Sequence, residues 1–237
     1  MIPGVSQPRQ PPALGLVVLR VDETIEQEFR RLIAPEHARL YVTRIPSGDH
    51  LTPESIATMK EALTSSAALL PATADFDVVG YACTSGTAFL GEETIEQAIQ
   101  AGVRTRAVTN PLTAAIAQIA HLGLDRVGIV SPYISEVAEQ LRAAFETRGV
   151  NVAAALSMEE SSEAAVARIT PEVITRAAQQ LVAENQLDGL FLSCTNLKTL
   201  EVLNPLSAQL GLPILSSNQA LAWHMTRLAG CPLSSVS

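Results

Sequence analysis

One stretch of this chain occurs twice, and the repetition constrains the fold more than any other feature. Asp77 opens the run Val78-Val79-Gly80-Tyr81-Ala82-Cys83-Thr84-Ser85, and Asp188 opens Gly189-Leu190-Phe191-Leu192-Ser193-Cys194-Thr195-Asn196. Each copy has an Asp six residues before a Cys, an apolar run between them, and a Thr directly after the Cys. A short apolar run ending in small and hydroxyl residues and leading into helical sequence reads as a buried parallel strand feeding a βα loop. Open α/β sheets bind ligands at the carboxyl ends of their strands, which puts both thiols where chemistry takes place. A single cysteine would read as a small buried apolar residue. Two at matched positions, in a chain with three cysteines, point to a site.

The rest of the chain has the same rhythm. Leu14 to Leu19 reads as a strand, and Ile25, Phe29, Leu32 and Ile33 recur at helical spacing behind Asp22, a candidate N-cap. Leu40 to Ile45 is a second strand, and Thr52-Pro53-Glu54 opens a helix to about Leu70. After the first Cys strand come a helix over Glu92 to Ala101 and a strand over Val103 to Val108. Asn110-Pro111 starts a helix ending near Gly123, and the cycle restarts. Strands are expected at Arg126 to Val130, Val150 to Leu156, the second Cys run and Leu212 to Leu215. Helices are expected at Ile134 to Arg148, Pro171 to Asn185, Leu197 to Leu210 and from Ser216-Ser217-Asn218 to Gly230. Strand–helix units throughout predict an α/β fold with parallel sheets. The strand order occurs twice, and the two cysteines are 111 residues apart. The expectation is two pseudo-symmetric lobes, each a parallel four-stranded sheet flanked by helices, with the active site in the cleft between them. Residues 13–108 with 216–230 would form the first lobe and 109–215 the second, after a loose, proline-containing leader over 1–12.

Composition narrows the function classes. A net charge of −8 without a basic cluster argues against nucleic-acid and membrane-surface partners, and no run approaches a membrane span. Three unpaired cysteines make no disulfide framework, and the N-terminus has no charged region followed by an apolar one, so a cytoplasmic protein with reduced thiols is expected. There is no CxxC or HExxH, His37, His50, His121 and His224 are scattered, and no phosphate-loop or dinucleotide motif follows a strand. Neither metal nor cofactor is expected.

A thiol at a helix mouth is drawn toward thiolate by the helix dipole and free N–H groups, which makes Cys83 and Cys194 candidate nucleophile, acid or base. Thr84, Ser85, Thr195 and Asn196 offer donors beside them for an anion such as a small carboxylate. Tyr133, in the loop after the first strand of the second half, offers a hydroxyl, and Arg20, Asp22 and Thr24 hold the matching place in the first half. Cys231 and His224 have no such setting and read as inert.

Cys83-Thr84-Ser85, Ser131-Pro132-Tyr133 and Leu192-Ser193-Cys194 resemble the site of the aspartate/glutamate racemase superfamily, in the branch holding maleate cis–trans isomerase and arylmalonate decarboxylase. Leu16–Leu19 with Asp22–Glu26 also resembles the ectoine-utilisation proteins of that branch. The resemblance covers about residues 14–230. It implies a cofactor-free homo-oligomer, a dimer or tetramer, in which one thiol adds to a double bond and the other handles protons. The racemases instead use the two thiols for proton removal and return, and the decarboxylase keeps only the thiol matching Cys194. Two positions depart from the isomerases, which have Asn where this chain has Asp22 and, in a looser alignment, Glu163. Each carboxylate would repel a dianion at a few ångströms by about 1–4 kcal/mol, which favours a ligand with a cationic amino or amidinium group. The expected function is a two-thiol isomerase of a small carboxylate. A racemase or epimerase of amino-acid or ectoine-type compounds, and a non-catalytic small-ligand binding protein, are the alternatives.

Overall fold

The computed structural model describes residues 10–50 and 52–234, so most of the expected leader lies outside the described residues. The first half runs β1 (Ala13–Leu19), α1 (Ile25–Leu32), β2 (Arg39–Ile45), α2 (Pro53–Ala67), β3 (Phe76–Ala82), α3 (Thr84–Leu90), α4 (Glu92–Gly102), β4 (Thr105–Thr109) and α5 (Pro111–Leu122). The second runs β5 (Val127–Ser131), α6 (Ser135–Glu146), β6 (Val152–Ser157), α7 (Glu163–Val166), α8 (Pro171–Glu184), β7 (Gly189–Leu192), α9 (Leu200–Leu210), β8 (Ile214–Ser216) and α10 (Ser217–Ala229).

These strands make the two parallel four-stranded sheets that the repeat predicts, and their order is β2-β1-β3-β4 and β6-β5-β7-β8. In each sheet the order reverses between the two central strands, which opens a crevice at their carboxyl ends. The loops after β1, β3, β5 and β7 therefore converge, and they carry Asp22, Cys83, Tyr133 and Cys194. The repeated Asp has a structural cause. Asp77 Oδ2 accepts from the Ala13 N–H and Asp188 Oδ2 from the Arg126 N–H, each at 3.0 Å, so each pins a Cys strand to the start of its central neighbour.

Central strands are apolar on both faces because both are covered. Along β1, Leu14, Leu16 and Val18 join a core continuous with the second sheet, while Ala13, Val17 and Leu19 meet Ile56, Leu63, Ile95 and Ile99 from α2 and α4. Helix α10 leaves β8 and packs on α5 and on β1, β3 and β4 of the first sheet.

Three local features differ from the sequence expectation. The short helices α3 and α7 fall in stretches to which the sequence pattern assigns no element, and α9 begins at Leu200 rather than Leu197. Thr84-Ser85-Gly86-Thr87 has poor intrinsic helix propensity, so only its burial and its N-cap hold α3 in place. Before α9, Asn196 and Thr199 are held by tertiary hydrogen bonds that no local pattern encodes.

Candidate functional site

Cys83 is the N-cap of α3, and its Sγ accepts from the Gly86 N–H at 3.2 Å with the Ser85 hydroxyl 3.7 Å away. The approach requires glycine, since a Cβ at Gly86 would lie 2.9 Å from the sulfur and 2.6 Å from the Tyr81 hydroxyl. Cys194 is held differently. Its backbone is in the left-handed region, φ 108°, which for a residue with a side chain costs about 1–3 kcal/mol and recurs where a site over-determines the chain. Its N–H donates to Ser217 Oγ at 3.0 Å, and that hydroxyl also pairs with Thr84 Oγ1 at 2.8 Å. Thr195 Oγ1 donates to Ala82 O at 3.4 Å. The two repeated stretches thus touch through their own threonines and through Ser217, which binds both.

The walls between them are polar and closed. Tyr133 is buried, its hydroxyl 3.3 Å from Ser193 Oγ, and the charges of both thiolates would oppose its ionisation. Asp22 Oδ1 accepts from the Thr24 and Ile25 N–H groups at 2.8 and 2.9 Å, capping α1, while Oδ2 is buried without a hydrogen-bond partner. Glu163 Oε2 accepts from Asn196 Nδ2 at 2.8 Å. Asn196 also donates to Glu163 O and accepts from the Glu23 N–H, so its side-chain amide ties the first-half loop to α7 and is not free for a ligand. Its backbone N–H faces the Cys194 sulfur instead. The loop after β2 closes over the same place, with the Glu163 N–H donating to Asp49 O and a bridge joining His50 to Ser162. Arg20 stands outside, exposed and paired with Asp49 at 2.7 Å, so the structure does not bring its guanidinium to the buried thiols.

Glu28 has no counterpart in the sequence-derived site. Its Oε1 accepts from the Thr199 and Leu200 N–H groups at 2.9 Å, capping α9 from another element, and Oε2 accepts from Asn218 Nδ2 at 2.8 Å. Asn218 Nδ2 also donates to Thr195 O, so Glu28 supports the Cys194 loop from beneath. A signal for it exists. Ile25, Glu28, Phe29 and Leu32 form one buried stripe at helical spacing, and a carboxylate inside such a stripe needs donors. Ser193 and Ser217 carried no such signal.

The expectation that helix mouths favour thiolate at both cysteines is corrected here. Burial pushes Cys83 up to about 11, outweighing the Ser85 hydroxyl and the Gly86 N–H, and the nearby Glu163 charge adds to it. Burial raises Cys194 well above its usual value as well, with the charges of Glu163, Asp22 and Cys83 adding and the Asn196 N–H opposing. Cys194 also lacks a helix mouth, because α9 starts only at Leu200. Both thiols therefore rest protonated, at 3% and 5% exposure, while Cys231 is half-buried. In unliganded protein near neutral pH, iodoacetamide should label Cys231 before either of them. Peptide mapping of a time course checks this, and faster labelling of Cys83 would mean that the closed arrangement opens freely.

Burial also raises Asp22, against the Ile25 and Thr24 N–H groups, and raises Glu163 to about 7, with Asn196 opposing and the Asp22 charge adding. Among the described residues no group of three or more His, Cys, Asp or Glu side chains is placed to hold a metal ion, and no helix is long and apolar enough to cross a membrane.

The arylmalonate decarboxylase family model matches residues 46–237. The arylmalonate decarboxylase of Bordetella bronchiseptica is 31% identical over 123 residues, 52% of this chain, and the match spans about half of that relative's own length, 51%. The maleate isomerase of Nocardia farcinica is 25% identical over 232 residues, 93% of this chain and 91% of that protein. Among solved structures, the maleate isomerase of Pseudomonas putida S16 superposes with a TM-score of 0.82 at 24% identity, over 93% of this chain and 94% of that one. A mutant of the Nocardia farcinica maleate cis-trans isomerase with a covalently bound succinylcysteine intermediate gives 0.81 at 23% identity, over 93% and 94%. At these identities the superpositions speak for the fold.

Proposed function

This chain belongs to the arylmalonate decarboxylase family, and from that premise we propose that it is a cofactor-independent isomerase using two cleft cysteines on a small unsaturated carboxylate, in the manner of a maleate cis–trans isomerase. The observation that carries the reading is the unequal setting of the two thiols. Cys83 has a backbone N–H on its sulfur and a hydroxyl beside it, which suits a nucleophile that must carry negative charge. Cys194 also faces a backbone N–H, that of Asn196, but burial and the charges of Glu163, Asp22 and Cys83 outweigh it and hold its proton on, which suits a proton donor. A decarboxylase resembling this family needs only the second thiol, whereas this chain has both. A racemase would ask equivalent roles of the two cysteines, and the asymmetry speaks against it.

In this reading Cys83, its proton released to solvent, adds to one carbon of the double bond, and the π electrons take the proton of Cys194 at the other. The former double bond is now single and rotates. The Cys194 thiolate then removes a proton from the second carbon, and the carbon–sulfur bond breaks to give the trans alkene and the Cys83 thiolate. Tyr133, Thr84, Ser85 and Thr195 line the place where the substrate carboxylate is held, and Ser217 and Asn196 are positioning residues. The covalently bound succinylcysteine of the Nocardia farcinica isomerase supports an adduct of this kind. Assembly as a cytoplasmic homo-oligomer and a place in the use of ectoine-type compounds belong to the same proposal and rest on resemblance. As a test, maleate incubated with chelator-treated protein should give fumarate, followed by proton NMR. If neither maleate nor an unsaturated monocarboxylate bearing an ammonium or amidinium group is isomerised or forms a covalent adduct, the reading loses to that of a binding protein.

A further inference from the structure

We propose that the natural ligand of this cleft carries a cationic nitrogen, an ammonium or amidinium, at the end opposite its carboxylate, and that Asp22 and Glu163 receive it. The proposal rests on the reading of the two-thiol cleft as the substrate site. Its ground is the charge inventory. Among the described residues the buried charged side chains are Asp22, Glu28 and Glu163, all acidic. The arginines near them are already matched, Arg20 with Asp49, Arg44 with Glu26 and Arg168 with Glu23. Arg44 also donates to the carbonyls of Leu19, Arg20 and Asp22, so its approach to Asp22 is through the backbone rather than the carboxylate.

Of the three buried acids, Glu28 is satisfied by three N–H donors. Asp22 is not. Asp22 Oδ2 is buried with no hydrogen-bond partner, Asp22 being only 3% exposed, and the nearby Thr195 hydroxyl, whose proton goes to Ala82 O, eases its charge only in part. Glu163 has a single side-chain donor, Asn196 Nδ2. Buried polar groups left without donors are costly, and a carboxylate without a cation more so, unless a ligand completes them. The two acids also act on the same neighbours. The charge of Asp22 reaches Glu163, and both reach Cys194. Glu163 is accessible from outside as well, because a surface cavity of about 300 Å³ is lined by Glu163, Ala164, Glu23, Asp49, Arg20 and Val21. At this mouth Glu23 and Asp49 are paired with Arg168 and Arg20, so the unmatched charges a dicarboxylate would meet are those of Glu163 and, further in, Asp22. A ligand with N–H donors and positive charge would instead satisfy Asp22 Oδ2 and give Glu163, which has no ion pair among the described residues, an opposite charge.

Succinate and 3-carbamimidoylpropanoate make a matched pair of probes, since the second replaces one carboxylate of the first with a planar amidinium on the same skeleton. Calorimetric titration of wild type should give at least tenfold tighter binding of the amidinium probe. In Asp22→Asn with Glu163→Gln the preference should shrink by tenfold or more. Both substitutions keep an oxygen acceptor for the α1 cap and for Asn196, and circular dichroism checks that the variant folds. If it does not, the wild-type ratio alone decides. Protection of Cys83 and Cys194 from slow alkylation at pH 9 reports where each probe sits. Succinate binding as well or better while protecting the thiols would overturn the proposal and leave the two-thiol reading standing. An amidinium preference that persists in the variant would overturn the assignment to Asp22 and Glu163. If neither probe protects either thiol, the cleft is not the ligand site and both readings fall.

Discussion

Cys83→Ser should lower maleate turnover by about 10⁴-fold or more, the order found when a covalent nucleophile is removed from a site that otherwise stays intact. The same variant should form no adduct, so its intact mass after incubation with substrate is unchanged. Cys194→Ser should behave differently. It leaves the Gly86 N–H and the Ser85 hydroxyl on the Cys83 sulfur, so addition remains feasible while proton delivery and removal at the neighbouring carbon are impaired. The expected result is slow turnover with a mass gain of one substrate molecule at Cys83, located by peptide mapping. The contrast between the variants matters more than either loss. Equal losses with no adduct in either, joined by solvent-deuterium exchange at the substrate carbon in one variant, would fit proton transfer by two equivalent thiols and favour the racemase alternative. A stability control is simple, because serine is smaller than cysteine and its hydroxyl can accept the same Gly86 N–H.

The parts of this site legible in the sequence are those produced by the repeat. Asp77 and Asp188 perform the same hydrogen bond in the two halves, and each Cys follows its Asp by the same six residues. The strands and their doubled succession followed from apolar runs of the right length, whereas their order within each sheet, and the reversal that opens the crevice, depends on pairing that no local run encodes. Where the reading failed, tertiary contact overrode local pattern. Helix α3 forms from a Thr-Ser-Gly-Thr segment that has no helical preference of its own, and α9 waits for Glu28, distant in sequence, to cap it. Ser217 was visible only as part of a capping run, yet it is the hydroxyl on which Thr84 and Cys194 meet. The thiols misled in one respect. Their position at strand ends suggested easy ionisation, but the closed loops that make the cleft specific also remove the water a thiolate needs.

The same closure predicts how stability depends on pH. Burial raises Glu163 from 4.5 to about 7 in the folded chain. A carboxyl raised on folding binds its proton more tightly in the native state, so its contribution is favourable below the unfolded value and is lost as pH rises through the folded one. Across pH 4.5 to 7 that loss amounts to about 3 kcal/mol for Glu163 alone, and Asp22 and Glu28, also raised by burial, add to it in the same direction. Glu163→Gln keeps an oxygen for Asn196 and cannot ionise. Urea unfolding at a series of pH values should therefore give a variant close to wild type near pH 4.5 and more stable than it by about 3 kcal/mol at pH 8. A wild type whose stability is flat, or rises, relative to the variant over this range would show that Glu163 is ionised without strain and already has a partner. In the expected case, the unliganded protein bears at neutral pH the cost of a charge that no ion pair among the described residues neutralises. Such a cost persists where function requires it. A cationic ligand would remove it, and its stabilising effect on wild type should then be greater at pH 8 than at pH 5, a pH dependence that should largely vanish in Glu163→Gln.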